Sequence, residues 1–177
     1  MKLFMHSLLF VLLTSFLSAF SFNSWHSGML LENVLQTEQS TQKHFKHDTC
    51  GSSCRDLYFT EEILGATAKI TLHFTLNEKV LYRVEVLWGA GVKEEDLQAF
   101  TDELIAYLDR KYGSIQVYSR PDYHGFTVLK EKKWQPEPNT EIVARKGASS
   151  LSLILTDIEL KSNHDFEMSQ HLKESQK

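Results

Sequence analysis

Two runs in which apolar and polar residues alternate, residues 67–76 and 80–88, most constrain how this chain can fold. In the first run Ile70 and Leu72 alternate with polar side chains, and the second run continues the pattern with tyrosine, valine and tryptophan. A period of two predicts strands that each have a buried face. Because only residues 77–79 separate the runs, the sequence predicts an antiparallel hairpin.

A helix is predicted over residues 93–112, directly after this hairpin. Leu97, Leu104 and Leu108 belong to one apolar stripe at helical spacing. Acidic residues crowd the first turn and basic residues the last, which complements the helix dipole. Gly113 follows as a glycine suited to end the helix.

The remaining pattern predicts an α+β fold. Leu31, Val34 and Leu35 indicate an earlier helix, and several short β-rich segments follow residue 113. We therefore expect a single two-layer domain over residues 22–160, with an antiparallel sheet of about five strands and one or two helices on one face. The polar residues 161–177 are predicted to form a disordered tail or a short exposed helix.

The first 21 residues have the layout of a signal peptide. Lys2 precedes an apolar run over residues 8–17, and Ala19 and Ser21 occupy the small positions before a cleavage point at Phe22. The run is too short to span a bilayer, and no cysteine near the cleavage point could carry a lipid anchor. The sequence predicts an exported protein of the bacterial envelope, periplasmic or extracellular, without a membrane span.

Charge and motifs exclude several classes of function. The chain has 19 Lys+Arg and 23 Asp+Glu, a formal net charge of −4, and no basic stripe, so a nucleic-acid partner is not expected. It contains no nucleophile elbow, P-loop, H-E-x-x-H, G-x-G-x-x-G or EF-hand motif. These absences favour a protein that is not an enzyme.

The segment HFKHDTCGSSC contains the two cysteines of the chain and has the spacing H-x2-H-x2-C-x3-C. In an oxidising compartment two cysteines and no third predict one structural disulfide, Cys50–Cys54, and no cofactor. Alternatively, His44, His47, Cys50 and Cys54 could bind Zn or Cu, because thiolates and imidazoles suit both metals. A thiol-redox function is the third hypothesis, although the spacing of the two cysteines is one residue longer than in C-x-x-C.

Three polar sites elsewhere in the sequence have a structural interpretation, and two of them also have a functional one. His73, on the polar face of the first strand, is expected to be solvated, although it could approach the His44–Cys54 segment. The sequence Asp122-Tyr123-His124 is expected to form a turn, although an Asp–His pair could do acid–base chemistry. The sequence KEKK at residues 130–133 is predicted to be a solvated strand edge.

The leading functional prediction is a small, non-enzymatic binding or accessory protein. Its expected partner is another envelope or extracellular protein, and the sequence does not define an oligomeric state. An exposed apolar patch around Leu81 and Leu87 would support a protein partner. The alternatives are a periplasmic Cu or Zn carrier or sensor that uses the His44–Cys54 segment, and a thiol-redox protein.

Overall fold

The structure, a computed structural model, describes residues 20–41, 45–47, 56–63, 65–89, 92–113, 117–118 and 128–175. Three helices and ten strands lie within these ranges. In chain order they are β1 (Ser21–Phe22), β2 (Trp25–His26), α1 (Leu31–Thr41), β3 (Lys46–His47), β4 (Leu57–Ile63), β5 (Ala66–Phe74), β6 (Leu81–Trp88), α2 (Glu94–Tyr112), β7 (Val117–Tyr118), β8 (Val128–Glu137), β9 (Thr140–Gly147), β10 (Leu151–Asp157) and α3 (Ile158–Glu174).

An antiparallel sheet with helices packed on it confirms the predicted α+β class. Its strand order is β3-β4-β5-β6-β10-β9-β8-β7, and β1 and β2 form a separate pair. The sheet is larger than the five or so strands expected. The main omission is β4, where Leu57 and Phe59 are buried but Glu61 and Glu62 interrupt the apolar alternation.

The chain divides into two compact units. The first comprises Met1–Phe59, Thr71–Val84 and Thr156–Lys177. The second comprises Thr60–Ile70 and Glu85–Leu155. The single domain expected over residues 22–160 stays a prediction, and each unit is described by itself.

An aromatic cluster forms part of the core of the first unit. Trp25 is fully buried and stacks on Phe22 at 6.0 Å between ring centroids. It meets Phe59 edge to face at 5.4 Å, and Phe45 meets Phe59 in the same way at 5.4 Å. A two-residue loop joins β1 to β2, and Asn23 in this loop has a positive φ of 54°, a conformation that asparagine tolerates well.

The turn between β5 and β6 is also held within the first unit. The Thr75 amide donates to the Val80 carbonyl at 2.9 Å, and the Val80 amide donates to the Thr75 hydroxyl at 3.1 Å. Lys79 has a positive φ of 56°, which lets the chain reverse. The segment between β2 and α1 contacts this end of β6, because the Gly28 amide donates to the Leu81 carbonyl at 2.9 Å.

Residues 161–174, for which the sequence left a disordered tail or a short exposed helix open, belong to helix α3. The carboxylate of Asp157 caps the helix by accepting the Leu160 amide at 3.1 Å. None of the residues in α3 is buried. Its low apolar content explains why the sequence left a disordered tail open, and the polar contacts described below hold the helix on the first unit.

Helix α2 begins at Glu94 and ends at Tyr112, as the sequence predicts, and belongs to the second unit. Leu97, Leu104 and Leu108 of the predicted stripe are buried, and Gly113 ends the helix with a φ of 80°. Phe100 of the same helix meets Trp88 edge to face at 5.1 Å. The periodicity therefore identified both the helix and the face that it buries.

The KEKK sequence of β8 is not the solvated edge that the sequence suggested. Glu131 and Lys132 are 3% and 6% exposed. Glu131 accepts a hydrogen bond from Nε of Arg145 at 2.6 Å, and Nζ of Lys132 donates to Asp109 of α2 at 2.5 Å. Burial is tolerated because each charge has an opposite charge as its partner.

No helix among the described residues is long and apolar enough to cross a membrane. Residues 1–19 of the predicted signal peptide lie outside the described residues. Phe20 and Ser21, which lie before the predicted cleavage point, are the first residues described. Phe20 is buried and its carbonyl accepts the Ser27 amide at 3.1 Å.

Candidate functional site

A hydrogen-bonded pair of Asp56 and His73 lies in the first unit. Nδ1 of His73 is 2.7 Å from a carboxylate oxygen of Asp56, and the two side chains are 18% and 20% exposed. His73 is therefore largely covered, and the solvated histidine expected from the sequence is wrong. Its partner, Asp56, lies two residues after Cys54 in the sequence; an approach of His73 to the His44–Cys54 segment stays a prediction.

Tyr82 and His164 extend this pair toward α3. The centroids of the His73 and Tyr82 rings are 6.2 Å apart. The His164 ring stacks on the Tyr82 ring, with 4.8 Å between centroids and an interplanar angle of 22°. Burial, and then the charge of Asp56, raise the pKa of Tyr82 to about 12, so its hydroxyl stays protonated at ordinary pH. We call Asp56, His73, Tyr82 and His164 the polar cluster.

A second polar contact fixes α3 on the β5–β6 turn. The carboxylate of Glu167 accepts the amides of Leu76 at 2.9 Å and Asn77 at 3.1 Å. A carboxylate that accepts two backbone amides makes charge-assisted hydrogen bonds, which are stronger than neutral ones. Glu167 and His164 are one turn apart on α3, so a single side of the helix makes both contacts.

The opposite side of α3 carries large apolar residues. Ile158, Phe166 and Leu172 are 38%, 65% and 55% exposed, and they lie within an arc of about 120° of the helix. The centre of this arc is opposite His164 and Glu167. We call these three residues the outer face of α3; in most surface helices the apolar residues face the core instead.

The predicted patch around Leu81 and Leu87 is confirmed only at Leu87. Leu87 is 40% exposed, whereas Leu81 is fully buried. Tyr82 is also buried, and neighbouring strand residues point to opposite faces, so the protein covers both faces of β6 at this point. Three of the five large exposed apolar residues among those described lie instead on α3.

The predicted cysteine and metal site lies almost wholly outside the described residues. His44, Cys50 and Cys54 are not described, and of His47 only the backbone is, paired with Leu57 in the sheet. The disulfide and the metal site therefore stay predictions. Among described residues, no three His, Cys, Asp or Glu side chains are placed to bind one metal ion. Asp122, Tyr123 and His124 also lie outside the described residues.

The polar cluster acts in this geometry as an attachment for α3. It links β5, β6 and α3 through one hydrogen-bonded pair and two ring contacts. Sequence reasoning singled out only His73. Asp56 is 17 residues from His73, and Glu167 is about 90 residues from the amides it accepts, so no local pattern could reveal either contact.

We predict that the wild-type protein loses stability as the pH falls below about 6.5 and that His164→Phe reduces this loss. Burial lowers the pKa of His164 below its ordinary value of 6.5, and His73 lowers it further, against the opposing effect of Asp165, Glu167 and Asp56. The unfolded chain then binds a proton at a pH where the folded protein does not.

The measurement is urea denaturation of both proteins at pH 7.5 and pH 5. Phenylalanine keeps the ring on Tyr82 but does not titrate. Nδ1 of His164 is buried and has no hydrogen-bond partner among the described residues, so the substitution removes no hydrogen bond at that atom. An equal loss of stability in both proteins would contradict the assignment to His164.

Comparison with known proteins gives no relative from which a function could be transferred. No protein-family model, no curated protein and no solved structure matches the chain.

Proposed function

We propose that this chain is an exported, non-enzymatic binding or accessory protein that docks a protein partner on the outer face of α3. The observation that supports this most directly is the exposure of Phe166, at 65%, between Ile158 and Leu172. Large apolar side chains that cluster on an exposed surface are typical of protein interaction sites.

The attachment of α3 supports the same proposal. Most surface helices are held by their apolar side, which leaves a polar side toward water. In α3, Glu167 and His164 make polar and ring contacts with the rest of the first unit, while the apolar outer face stays exposed. Burial of one phenylalanine side chain is worth about 1.5–3 kcal/mol, so a partner that covers Phe166 would gain substantially.

Export and the disulfide are supported by the sequence. We propose that residues 1–21 act as a signal peptide, that the mature protein is periplasmic or extracellular, and that Cys50 and Cys54 form a structural disulfide. The stabilisation expected from so short a loop is about 2 kcal/mol at most. The alternative, a Cu or Zn carrier, requires the same two cysteines as free thiolates.

A photo-crosslinking residue at position 166 is expected to capture a protein from the exported fraction. The matched control is position 171, where His171 is exposed but lies on the side of α3 opposite the outer face. Adducts at 166 that are absent at 171 are the expected result. Equal labelling at both positions, or none at 166, would refute docking on the outer face.

The intact mass of the exported protein tests compartment and thiol state together. We expect a chain that begins at Phe22, is lighter by two hydrogen atoms than the reduced chain, and does not react with a thiol-alkylating reagent under denaturing conditions. Retention of the leader in the cytoplasm would refute export. Two reactive thiols and a metal that is lost on denaturation would favour the metal carrier instead.

A further inference from the structure

We propose that α3 is an acid-sensitive latch: protonation of His164 releases the helix from the β5–β6 hairpin while the hairpin itself stays folded. This inference does not depend on the proposed docking of a partner, because it concerns the side of α3 that contacts the protein and not the outer face. Three features support it: a buried ring nitrogen of His164 without an acceptor, the charges around that ring, and the shallow attachment of the helix.

The His164 ring lies on Tyr82 in a position that suits only its neutral form. The two ring centroids are 4.8 Å apart, and Tyr82 is itself buried. Nδ1 of His164 is buried and has no hydrogen-bond partner among the described residues. A neutral imidazole can carry its proton on the other nitrogen, whereas a protonated imidazole has an N–H group at both. Protonation therefore creates a buried, charged donor without an acceptor, which disfavours the attached position of the ring.

The carboxylates of α3 do not hold a protonated ring in place. Burial lowers the pKa of His164 below its ordinary value of 6.5, and this effect exceeds each of the charge effects on the ring. Asp165 and then Glu167 raise the pKa, but both belong to α3 and stay beside His164 when the helix detaches. They favour the protonated ring in the attached and in the detached helix alike, so they do not select the attached state.

The groups that face the ring from the strands offer little compensation for a positive charge. Asp56 raises the pKa of His164, but its carboxylate is hydrogen-bonded to His73 at 2.7 Å, and His73 lowers the pKa of His164. Tyr82 stays uncharged, because burial and then Asp56 raise its pKa to about 12, against a smaller opposite effect of Arg83. The strands therefore present to His164 a paired carboxylate, a second imidazole and a neutral phenol.

Acid, and not base, opens the latch. The pKa of His164 lies below 6.5 in the attached helix, and it returns toward 6.5 when detachment exposes the ring. The detached helix then binds a proton at a pH where the attached helix does not. The attachment has its full strength above about pH 6.5, and it weakens as the pH falls from there through the lowered pKa of the attached ring.

Helix α3 can detach without opening a core. None of its residues is buried, and Leu160 and Met168, one turn before and one turn after His164, are partly exposed. The other contact that holds this side of the helix is the one from Glu167 to the amides of the β5–β6 turn. An isolated helix of 17 residues is only marginally stable in water, so detachment also exposes the amides of α3 to solvent exchange.

The test is amide hydrogen exchange of the purified exported protein at pH 7.5 and pH 5, with each rate divided by that of an unstructured chain at the same pH. We expect the opening equilibrium constant of α3, and that of the Leu76 and Asn77 amides, to rise by about three- to tenfold on acidification. Exchange in α3 should be at least about a hundredfold less protected than in β6, and independent of low urea concentrations, as is typical of local opening.

Two variants separate the titrating group from the attachment itself. His164→Phe keeps an aromatic ring on Tyr82 but cannot be protonated, so the opening of α3 should change by less than about twofold between the two pH values. Glu167→Gln is the matched control, because it weakens the charge-assisted contact with Leu76 and Asn77. It should increase opening at both pH values, and the rise on acidification should stay at least about threefold because His164 is still present.

Several results would overturn the latch. It is refuted by an opening of α3 that is the same at both pH values, by an equal rise in His164→Phe, and by α3 amides that exchange only together with those of β6. A rise that disappears in Glu167→Gln but persists in His164→Phe would assign the titration to Glu167 instead. None of these results affects docking on the outer face, which is tested by the crosslink at position 166, so the two proposals fail separately.

Discussion

Trp25→Ala is expected to lower the free energy of unfolding by about 3–5 kcal/mol, the range for removal of a buried aromatic side chain from a core. Trp25 is fully buried and its ring contacts Phe22, Phe45 and Phe59 at 5.4–6.3 Å between centroids. Alanine would leave a cavity among three other aromatic rings, each of which would lose a packing partner. Urea denaturation followed by far-UV circular dichroism measures the change without relying on tryptophan fluorescence.

The control for this prediction is Phe166→Ala, which also removes an aromatic ring, but from a residue that is 65% exposed. Its free energy of unfolding should change by less than about 0.5 kcal/mol. Similar losses for the two variants would show that Phe166 is packed in the isolated protein, and would remove the main support for the proposed binding surface.

Asp109→Asn is expected to lower the free energy of unfolding by about 2–4 kcal/mol. Asp109 accepts from Nζ of Lys132 at 2.5 Å and from Nε1 of Trp134 at 3.0 Å. The Lys132 side chain is 7% exposed, so loss of the carboxylate leaves a nearly buried ammonium without its counter-charge. The estimate lies below that for a fully buried pair because Asp109 is 28% exposed and partly screened.

Two controls test whether the unpaired charge causes this loss. In the double variant D109N/K132M the ammonium is absent, and at least half of the lost stability should return. Glu141→Gln breaks the Lys133–Glu141 pair, whose side chains are 33% and 35% exposed, and should cost less than about 1 kcal/mol. A double variant that is no more stable than D109N would contradict the role of charge and indicate lost packing instead.

Local patterns predicted the parts of the fold that depend on local periodicity. The β5–β6 hairpin has a period of two, and α2 has a stripe, acidic and basic ends and a terminal glycine. In both cases neighbouring residues carry the signal, so a single sequence is sufficient. The antiparallel sheet followed from strands that occur in uninterrupted succession.

The sequence failed where distant residues decide the structure. Glu131 and Lys132 look like solvated charges, and only Arg145 and Asp109 make their burial possible. For residues 161–177 the sequence left a disordered tail and a short exposed helix open, because the helix is attached by Glu167 to amides about 90 residues away. The outer face of α3 was missed for the same reason: its significance depends on which side of the helix faces the protein.

The attachment of α3 has a consequence for the kinetics of folding. The contact between Glu167 and Leu76 spans 91 residues, whereas the hairpin that receives it closes through neighbouring residues. Contacts of large sequence separation carry a high entropic cost and tend to form after local ones. We infer that α3 is still detached in the transition state for folding. Its contacts then govern how long the native protein survives between unfolding events, while the hairpin and the cores set how quickly it forms.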